Sequence, residues 1–236
     1  MTAESLDVGR PSPGDEVLSP RVELLDIPDA PIQPDQEWAN ALTHGIAAKL
    51  SLFGAGALVF GAAGVSTGLA WACLAYMSAV FATFLSSFLS HFFLKQPWLN
   101  TFRAWDQAMI YTMIVGTYTP IVWAYTTPPI RTFILVAMWV AAIAGAVSKV
   151  VYRHRLNNIS PWPYLALGWA PAAVLYFATP PRVSLMMVAG GLFYCGGVYF
   201  LMNDRRGRYF HAVWHLFVIT ASALHYVGMW RIVWGA

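Results

Sequence analysis

Residues Leu69–Leu94 read LAWACLAYMSAVFATFLSSFLSHFFL, and this stretch contains no Asp, Glu, Lys or Arg. A helix needs about 20 mainly apolar residues to cross a bilayer, so the stretch is long enough to span one. Most of its serines and its single histidine, His91, lie in its second half. The stretch therefore predicts a transmembrane helix with its polar residues near one end.

Comparable apolar stretches recur along the chain after residue 44, separated by charged residues or prolines. The predicted spans are Gly45–Gly64, Leu69–Leu94, Trp105–Tyr125, Thr132–Val150, Trp162–Ala178, Val183–Met202 and Phe210–Val233. Only a short polar break separates the first two spans, and a count of six would merge or drop the short fifth span. Prolines bracket the fifth span on both sides, which favours a separate element. We predict an all-α integral membrane protein with seven transmembrane helices.

The composition excludes an ordinary soluble domain. Of the 236 residues, 58% are hydrophobic and only 11% are charged, whereas soluble proteins have about 25% charged residues. The basic residues form short clusters between apolar runs, which is where a membrane protein carries its orientation signal. We therefore expect no nucleic-acid partner and a multi-pass membrane location.

The distribution of lysine and arginine predicts the orientation. One side has eight basic residues: Lys95, Arg103, Lys149, Arg153, Arg155, Arg205, Arg206 and Arg208. The opposite side has three: Arg131, Arg182 and Arg231. Because basic residues favour the cytoplasmic side, we predict a cytoplasmic N-terminus and a C-terminus outside.

The first 36 residues differ in character from the rest of the chain. Residues 1–37 hold nine of the 11 acidic residues, and residues 1–36 hold six of the 15 prolines. No helical or alternating apolar period is present, so this segment cannot build a packed core. The predicted organisation is a disordered acidic tail over 1–36 and a transmembrane domain over 37–236.

Ionisable residues within the spans converge at one depth. His91 ends the second span, Asp106 lies in the first turn of the third, and His211 and His215 open the seventh. Each position lies near the predicted cytoplasmic edge. Ionisable groups inside a membrane are costly and mark functional sites. The alternative is that the histidines are interfacial residues and that Asp106 caps its helix or pairs with Arg103, but agreement between three helices favours a site.

The spacing of these residues is typical of a metal centre. His211 and His215 are four residues apart, so their Cβ atoms lie about 5 to 6 Å apart on one helix face. With His91, they offer three imidazoles, and a fourth tetrahedral position remains for water, as in catalytic zinc sites. Asp106 is suited to hold or deprotonate that water. Ser87, one turn before His91, is suited to hydrogen-bond the water or a developing oxyanion.

Two other histidines fit less directly. His44 begins the first span and is predicted either to hydrogen-bond around the metal site or to form a polar helix start. His225 lies ten residues after His215, roughly 15 Å further along the helix, so it cannot reach the same ion. It is interpreted as a helix-packing or outer-side residue.

Together these motifs resemble the hemolysin III family, the bacterial branch of the progestin and adipoQ receptors, which includes the adiponectin receptors. The motifs are Glu37-x-x-Asn40-x-x-Thr43-His44-Gly45, Ser87-x-x-x-His91, Asp106, Gly116-Thr-Tyr-Thr-Pro120 and His211-x-x-x-His215. The resemblance covers nearly everything after residue 36. It implies seven membrane helices, a cytoplasmic N-terminus, and Zn2+ held by His91, His211 and His215, with Asp106 and Ser87 beside the bound water. It also implies kinship with membrane hydrolases that include alkaline ceramidases.

Three classes of function follow. The leading hypothesis is a zinc-dependent hydrolase acting on a membrane lipid amide or ester, with Asp106 as general base. The second is a non-enzymatic membrane sensor or receptor whose zinc is structural. The third is a membrane-lytic protein, which only the family name suggests, because the spans are too apolar to line a wide aqueous channel.

Overall fold

The computed structural model describes residues 32–151 and 160–235. Within these ranges the chain is all helical, with seven α-helices. In chain order they are α1 Pro34–Val65, α2 Thr67–Phe92, α3 Trp98–Tyr125, α4 Pro128–Val151, α5 Trp162–Leu175, α6 Pro181–Met202 and α7 Phe210–Trp234. Of the predicted tail, residues 1–31 lie outside the described part, and residues 34–36 belong to α1.

Five of the described helices, α1, α2, α4, α6 and α7, are long and apolar enough to cross a membrane. Helix α5 has 14 residues, which at 1.5 Å per residue gives about 21 Å, less than the hydrocarbon core of about 30 Å. Helix α3 is long enough but begins with polar residues that include Arg103 and Asp106. The chain is therefore a multi-pass membrane protein, and the count of seven spans and the orientation stay predictions.

A single residue separates the first two helices. Ser66 is extended at φ −164° and ψ 149°, and its hydroxyl accepts a hydrogen bond from the amide of Leu69 at 3.1 Å. A serine in this position satisfies one of the free amides at a helix start. The short polar break in the sequence is therefore sufficient to end α1 and begin α2.

Helix α3 lies at the centre of the helical bundle. It contacts α2, α4, α5 and α7, while α1 packs against α2 and α7, and α6 packs against α7. Every residue from Val115 to Val122 is buried. In contrast, large apolar side chains on the outer helices are exposed, including Phe53 at 79%, Phe60 at 81% and Phe133 at 75%. An extensive exposed apolar surface of this kind suits contact with lipid.

The central position of α3 requires a close approach to α2 at Gly116. A Cβ atom at Gly116 would lie 2.8 Å from the Cβ of Ala79, so the absence of a side chain at Gly116 allows the two helices to approach. We expect Gly116→Ala to destabilise the protein by about 1–3 kcal/mol, because overpacking forces the two helices apart. Thermal unfolding in mild detergent measures this change.

The matched control for this substitution is Gly56→Ala. A Cβ at Gly56 would meet nothing within 4 Å, and alanine favours the helix over glycine. Gly56→Ala is therefore expected not to lower the unfolding temperature. If Gly116→Ala and Gly56→Ala lower the unfolding temperature equally, the assignment of Gly116 to the α2–α3 contact is wrong.

Candidate metal centre

Three histidines from two helices meet where the end of α2 faces the start of α7. The ligand nitrogen atoms of His91, His211 and His215 all lie within 4.8 Å of one another. The spacing of four residues places His211 and His215 on one face of α7, and α2 brings His91 opposite them. The convergence expected from the sequence is therefore present, and the group can hold a metal ion.

His91 has the tautomer that a metal ligand requires. Its Nδ1 lies 2.6 Å from a carboxylate oxygen of Glu37, and because a carboxylate accepts, Nδ1 carries the hydrogen. Its Nε2 is then an acceptor, and this atom is buried without a hydrogen-bond partner among the described residues. An unpaired buried acceptor is unfavourable, and a cation beside it would satisfy it.

His215 is held in the same way by α1. Its Nδ1 lies 3.2 Å from the carbonyl oxygen of Asn40 and 3.0 Å from the hydroxyl oxygen of Thr43. The Thr43 hydroxyl itself donates to the Asn40 carbonyl at 2.8 Å. Nδ1 of His215 therefore donates to the Asn40 carbonyl, which leaves its Nε2 lone pair for a metal.

The third histidine, His211, lies near an acidic residue of the segment between α6 and α7. Nδ1 of His211 lies 3.6 Å from a carboxylate oxygen of Asp204. Burial raises the pKa of Asp204, but the interactions with His211 and with Arg205 together outweigh burial, so this pKa lies below its ordinary value. Asp204 is therefore an anion beside the imidazole. Carboxylate or carbonyl partners on the second nitrogen are typical of metal-binding histidines.

The first turns of α1 supply partners that the sequence reasoning did not assign. Glu37, Asn40, Thr43 and His44 recur at helical spacing, and this period is the signal that could have revealed a shared face. His44 was predicted to hydrogen-bond or to form a helix start. Instead, its ring stacks on His215 with centroids 3.7 Å apart and planes at 9°, and both its nitrogens are buried without hydrogen-bond partners among the described residues.

Asp106 and Ser87 line the same cavity as His211 and His215. Ser87 is 2% exposed, and one carboxylate oxygen of Asp106 accepts a hydrogen bond from the hydroxyl of Ser90 at 2.9 Å. Ser90 was not singled out from the sequence, although it directly precedes His91. The Ser90 hydroxyl also lies 2.9 Å from the carbonyl oxygen of Ser87, so its one hydrogen is shared between that carbonyl and Asp106.

A cavity of about 140 Å³ connects this group to the interior of the bundle. Its wall includes His44, Ser87, Asp106, His211 and His215. Most of the remaining wall is apolar or aromatic and comes from α3, α5, α6 and α7. The arrangement places a candidate metal site, a carboxylate and a hydroxyl on the wall of one largely apolar cavity.

His225 also lines this cavity. It is 7% exposed, and its Nε2 lies 3.1 Å from the carbonyl oxygen of Met187 in α6. The helix-packing interpretation of His225 is therefore confirmed.

Comparison of the sequence with known proteins identifies one family. A sequence model described as "Haemolysin-III related" matches residues 32–226. The chain is 32% identical over 193 residues to Hemolysin-3 of Bacillus cereus, covering 80% of this chain and 88% of that protein. It is 29% identical over 197 residues to the Hemolysin-3 homolog of Bacillus subtilis (strain 168), and the match covers 80% of this chain and 90% of that protein.

A human protein is also similar. The Monocyte to macrophage differentiation factor of Homo sapiens is 30% identical over 135 residues, which cover 57% of each chain. The bacterial relatives, together with the apolar helices, point to a multi-pass protein of the plasma membrane. With most of its length matched, the chain belongs to the Haemolysin-III related family.

Proposed function

We propose that this protein binds a zinc ion through His91, His211 and His215 and hydrolyses an amide or ester bond of a membrane lipid. The observation that carries the proposal is the cavity wall, on which His211 and His215, Asp106 and Ser87 lie next to an apolar interior. Such a cavity suits a ligand with one polar carbonyl and a long apolar chain.

The nitrogen donors favour zinc. Imidazole nitrogen is a common zinc ligand, and three histidines with an open position form the pattern of catalytic rather than structural zinc sites. The hydrogen-bond partners Glu37 and Asn40 keep both Nε2 lone pairs available on His91 and His215. When bound, zinc lowers the pKa of water to about 7 and polarises a carbonyl oxygen.

Residues of the protein accept the proton of the attacking water and transfer it to the leaving group. The Ser90 hydroxyl donates to one oxygen of Asp106, and the other is available to accept a proton from the attacking water and to return it to the leaving group. The Ser87 hydroxyl donates a hydrogen bond to the oxyanion that forms on the substrate carbonyl. The apolar wall binds the acyl chain and excludes bulk water.

Substitution of Asp106 tests the chemistry separately from metal binding. We expect Asp106→Asn to lower the hydrolysis rate about 100-fold to 10,000-fold, because an amide cannot accept the proton, and to keep the bound zinc. The assay uses purified zinc-loaded protein in lipid nanodiscs with a panel of long-chain lipid amides and esters. Free fatty acid release is measured by mass spectrometry.

The matched control is Asp35→Asn. Asp35 makes an exposed ion pair with Arg208 at 2.5 Å, away from the cavity wall, and its substitution is expected to leave the rate unchanged. Full zinc occupancy with no release from any lipid would contradict the hydrolase and favour a sensor with structural zinc. Dye leakage from loaded vesicles would favour the lytic function.

A further inference from the structure

A second polar region lies on the wall of the cavity, away from the histidine cluster. His225 is ten residues after His215 on α7, which corresponds to about 15 Å along the helix. Its Nε2 lies 3.1 Å from the Met187 carbonyl, and because a carbonyl only accepts, Nε2 carries the hydrogen. Nδ1 is then an acceptor, and it is buried without a hydrogen-bond partner among residues 32–151 and 160–235.

The position of the His225 ring is tightly constrained. A Cβ atom at Gly190 would lie 2.3 Å from Nε2 of His225, so glycine allows α6 to approach the imidazole. The same approach brings the Met187 carbonyl into hydrogen-bond range. The Nε2 atom of His225 is therefore engaged in a hydrogen bond between α7 and α6, whereas Nδ1 has no partner among the described residues. An unpaired polar atom inside the membrane is energetically unfavourable.

Two residues with hydroxyl groups, Tyr194 of α6 and Ser222 of α7, lie in the same region as this imidazole. The ring of Tyr194 lies 5.7 Å from that of His225, measured between centroids, and both residues line the cavity. The Tyr194 hydroxyl is 2.9 Å from the hydroxyl of Ser222. This pair has two hydroxyl hydrogens, of which one forms the bond between them. Among the described residues, the other hydrogen has only the sulfur of Met113, a weak acceptor 4.0 Å away.

We propose that His225, Tyr194 and Ser222 form a subsite for a hydroxyl group carried near the middle of the substrate's acyl chain. This inference rests on the proposed function, because the chain's carbonyl end is placed at the histidine cluster. A hydroxyl both donates, here to Nδ1 of His225, and accepts, here from the Tyr194–Ser222 pair. A ketone or ether lacks the donor, and a charged group would be too costly to bury.

The distance between the two regions sets the position of the hydroxyl. A separation of about 15 Å along α7 excludes a hydroxyl adjacent to the carbonyl, because that group would lie at the histidine cluster. The substrate class is therefore a lipid whose amide- or ester-linked acyl chain is hydroxylated near its middle.

Binding of two isomeric acids tests the subsite without turnover. The zinc-loaded full-length protein in nanodiscs is incubated with radiolabelled stearic acid. Two competitors displace it: stearic acid with a mid-chain hydroxyl, and the isomer with its hydroxyl on the terminal carbon of the chain, far from both the zinc and the proposed subsite. We expect the mid-chain isomer to bind about threefold to tenfold more tightly, as one additional net hydrogen bond allows.

His225→Phe and Tyr194→Phe are expected to abolish this preference, and the tyrosine variant keeps its ring if the histidine variant fails to fold. Tyr118→Phe is the matched control. It removes a hydroxyl from the same cavity wall, but one that already donates to the Gly168 carbonyl at 2.5 Å. The preference should persist in this control.

Equal binding of the two isomers to the wild-type protein, failure of both to bind, or an equal loss of preference in Tyr118→Phe would overturn the subsite. If the protein hydrolyses lipid amides or esters but binds both isomers equally, the subsite proposal is wrong and the hydrolase proposal stands. If the protein prefers the mid-chain isomer but hydrolyses no lipid, the hydrolase proposal is wrong. The binding site for hydroxylated chains then stands.

Discussion

Replacement of His215 by alanine is expected to lower zinc affinity by more than about 100-fold, a larger loss than changes to the partners of metal-binding histidines cause. Wild-type protein purified in mild detergent without chelators should hold about one zinc per chain. The variant should hold almost none. Elemental analysis of the purified proteins measures the content, and competition with a chromophoric chelator measures the affinity.

A second variant and a control separate metal loss from misfolding. His215 is 1% exposed, so its removal also leaves a cavity, whereas the His211 side chain is 24% exposed and His211→Ala disturbs the packing less. The control is His225→Ala, which also replaces a histidine of α7 by alanine but lies outside the group of His91, His211 and His215. This variant should retain zinc. Wild-type zinc content in both His211→Ala and His215→Ala would contradict the assigned ligands.

The sequence predicts the ligand cluster because its signals are local. His211 and His215 are four residues apart on one helix, and the helix period alone places them on one face. His91 required a further step, namely that the end of one span and the start of another lie at the same membrane depth. The length of the apolar runs supplies that depth, so the bilayer itself restricts where distant residues can meet.

The partners of these histidines depend on packing that no local pattern encodes. Glu37 contacts His91 across 54 residues of chain, and Asn40 contacts His215 across 175. These contacts exist because α1 packs against both α2 and α7. From the sequence alone, the polar start of α1 is equally consistent with a solvated helix end.

The same limit applies to the number of spans. Prolines bracket α5 and mark it as a separate element, but its helix ends at Leu175 after 14 residues, three residues before the end of the predicted span. Helix α3 is surrounded by neighbours, and its polar residues Gln107, Thr117 and Thr119 are buried in the bundle. Helices that are short or enclosed need not satisfy the hydropathy that a lipid-exposed span requires.

Glu37→Gln is expected to lower zinc affinity about 10-fold to 100-fold, the effect typical of losing a partner of a metal-binding histidine. In the wild type a carboxylate oxygen of Glu37 lies 2.6 Å from Nδ1 of His91. The amide of glutamine cannot supply this negative charge, so the imidazole donates its Nε2 electron pair to the metal less strongly. Chelator competition measures the affinity. At saturating zinc, hydrolysis should recover in this variant but not in Asp106→Asn.

Gln36→Ala is the control for the position on α1. Gln36 precedes Glu37, but its side-chain oxygen accepts a hydrogen bond from the amide of Tyr209 at 3.1 Å rather than from a histidine, so zinc affinity should be unchanged. If Glu37→Gln binds zinc as tightly as the wild type, the Glu37–His91 contact is only an ion pair between helix ends. Loss of affinity in Glu37→Gln alone, with recovery of hydrolysis at high zinc, would instead make α1 the element that orients the metal ligand of α2.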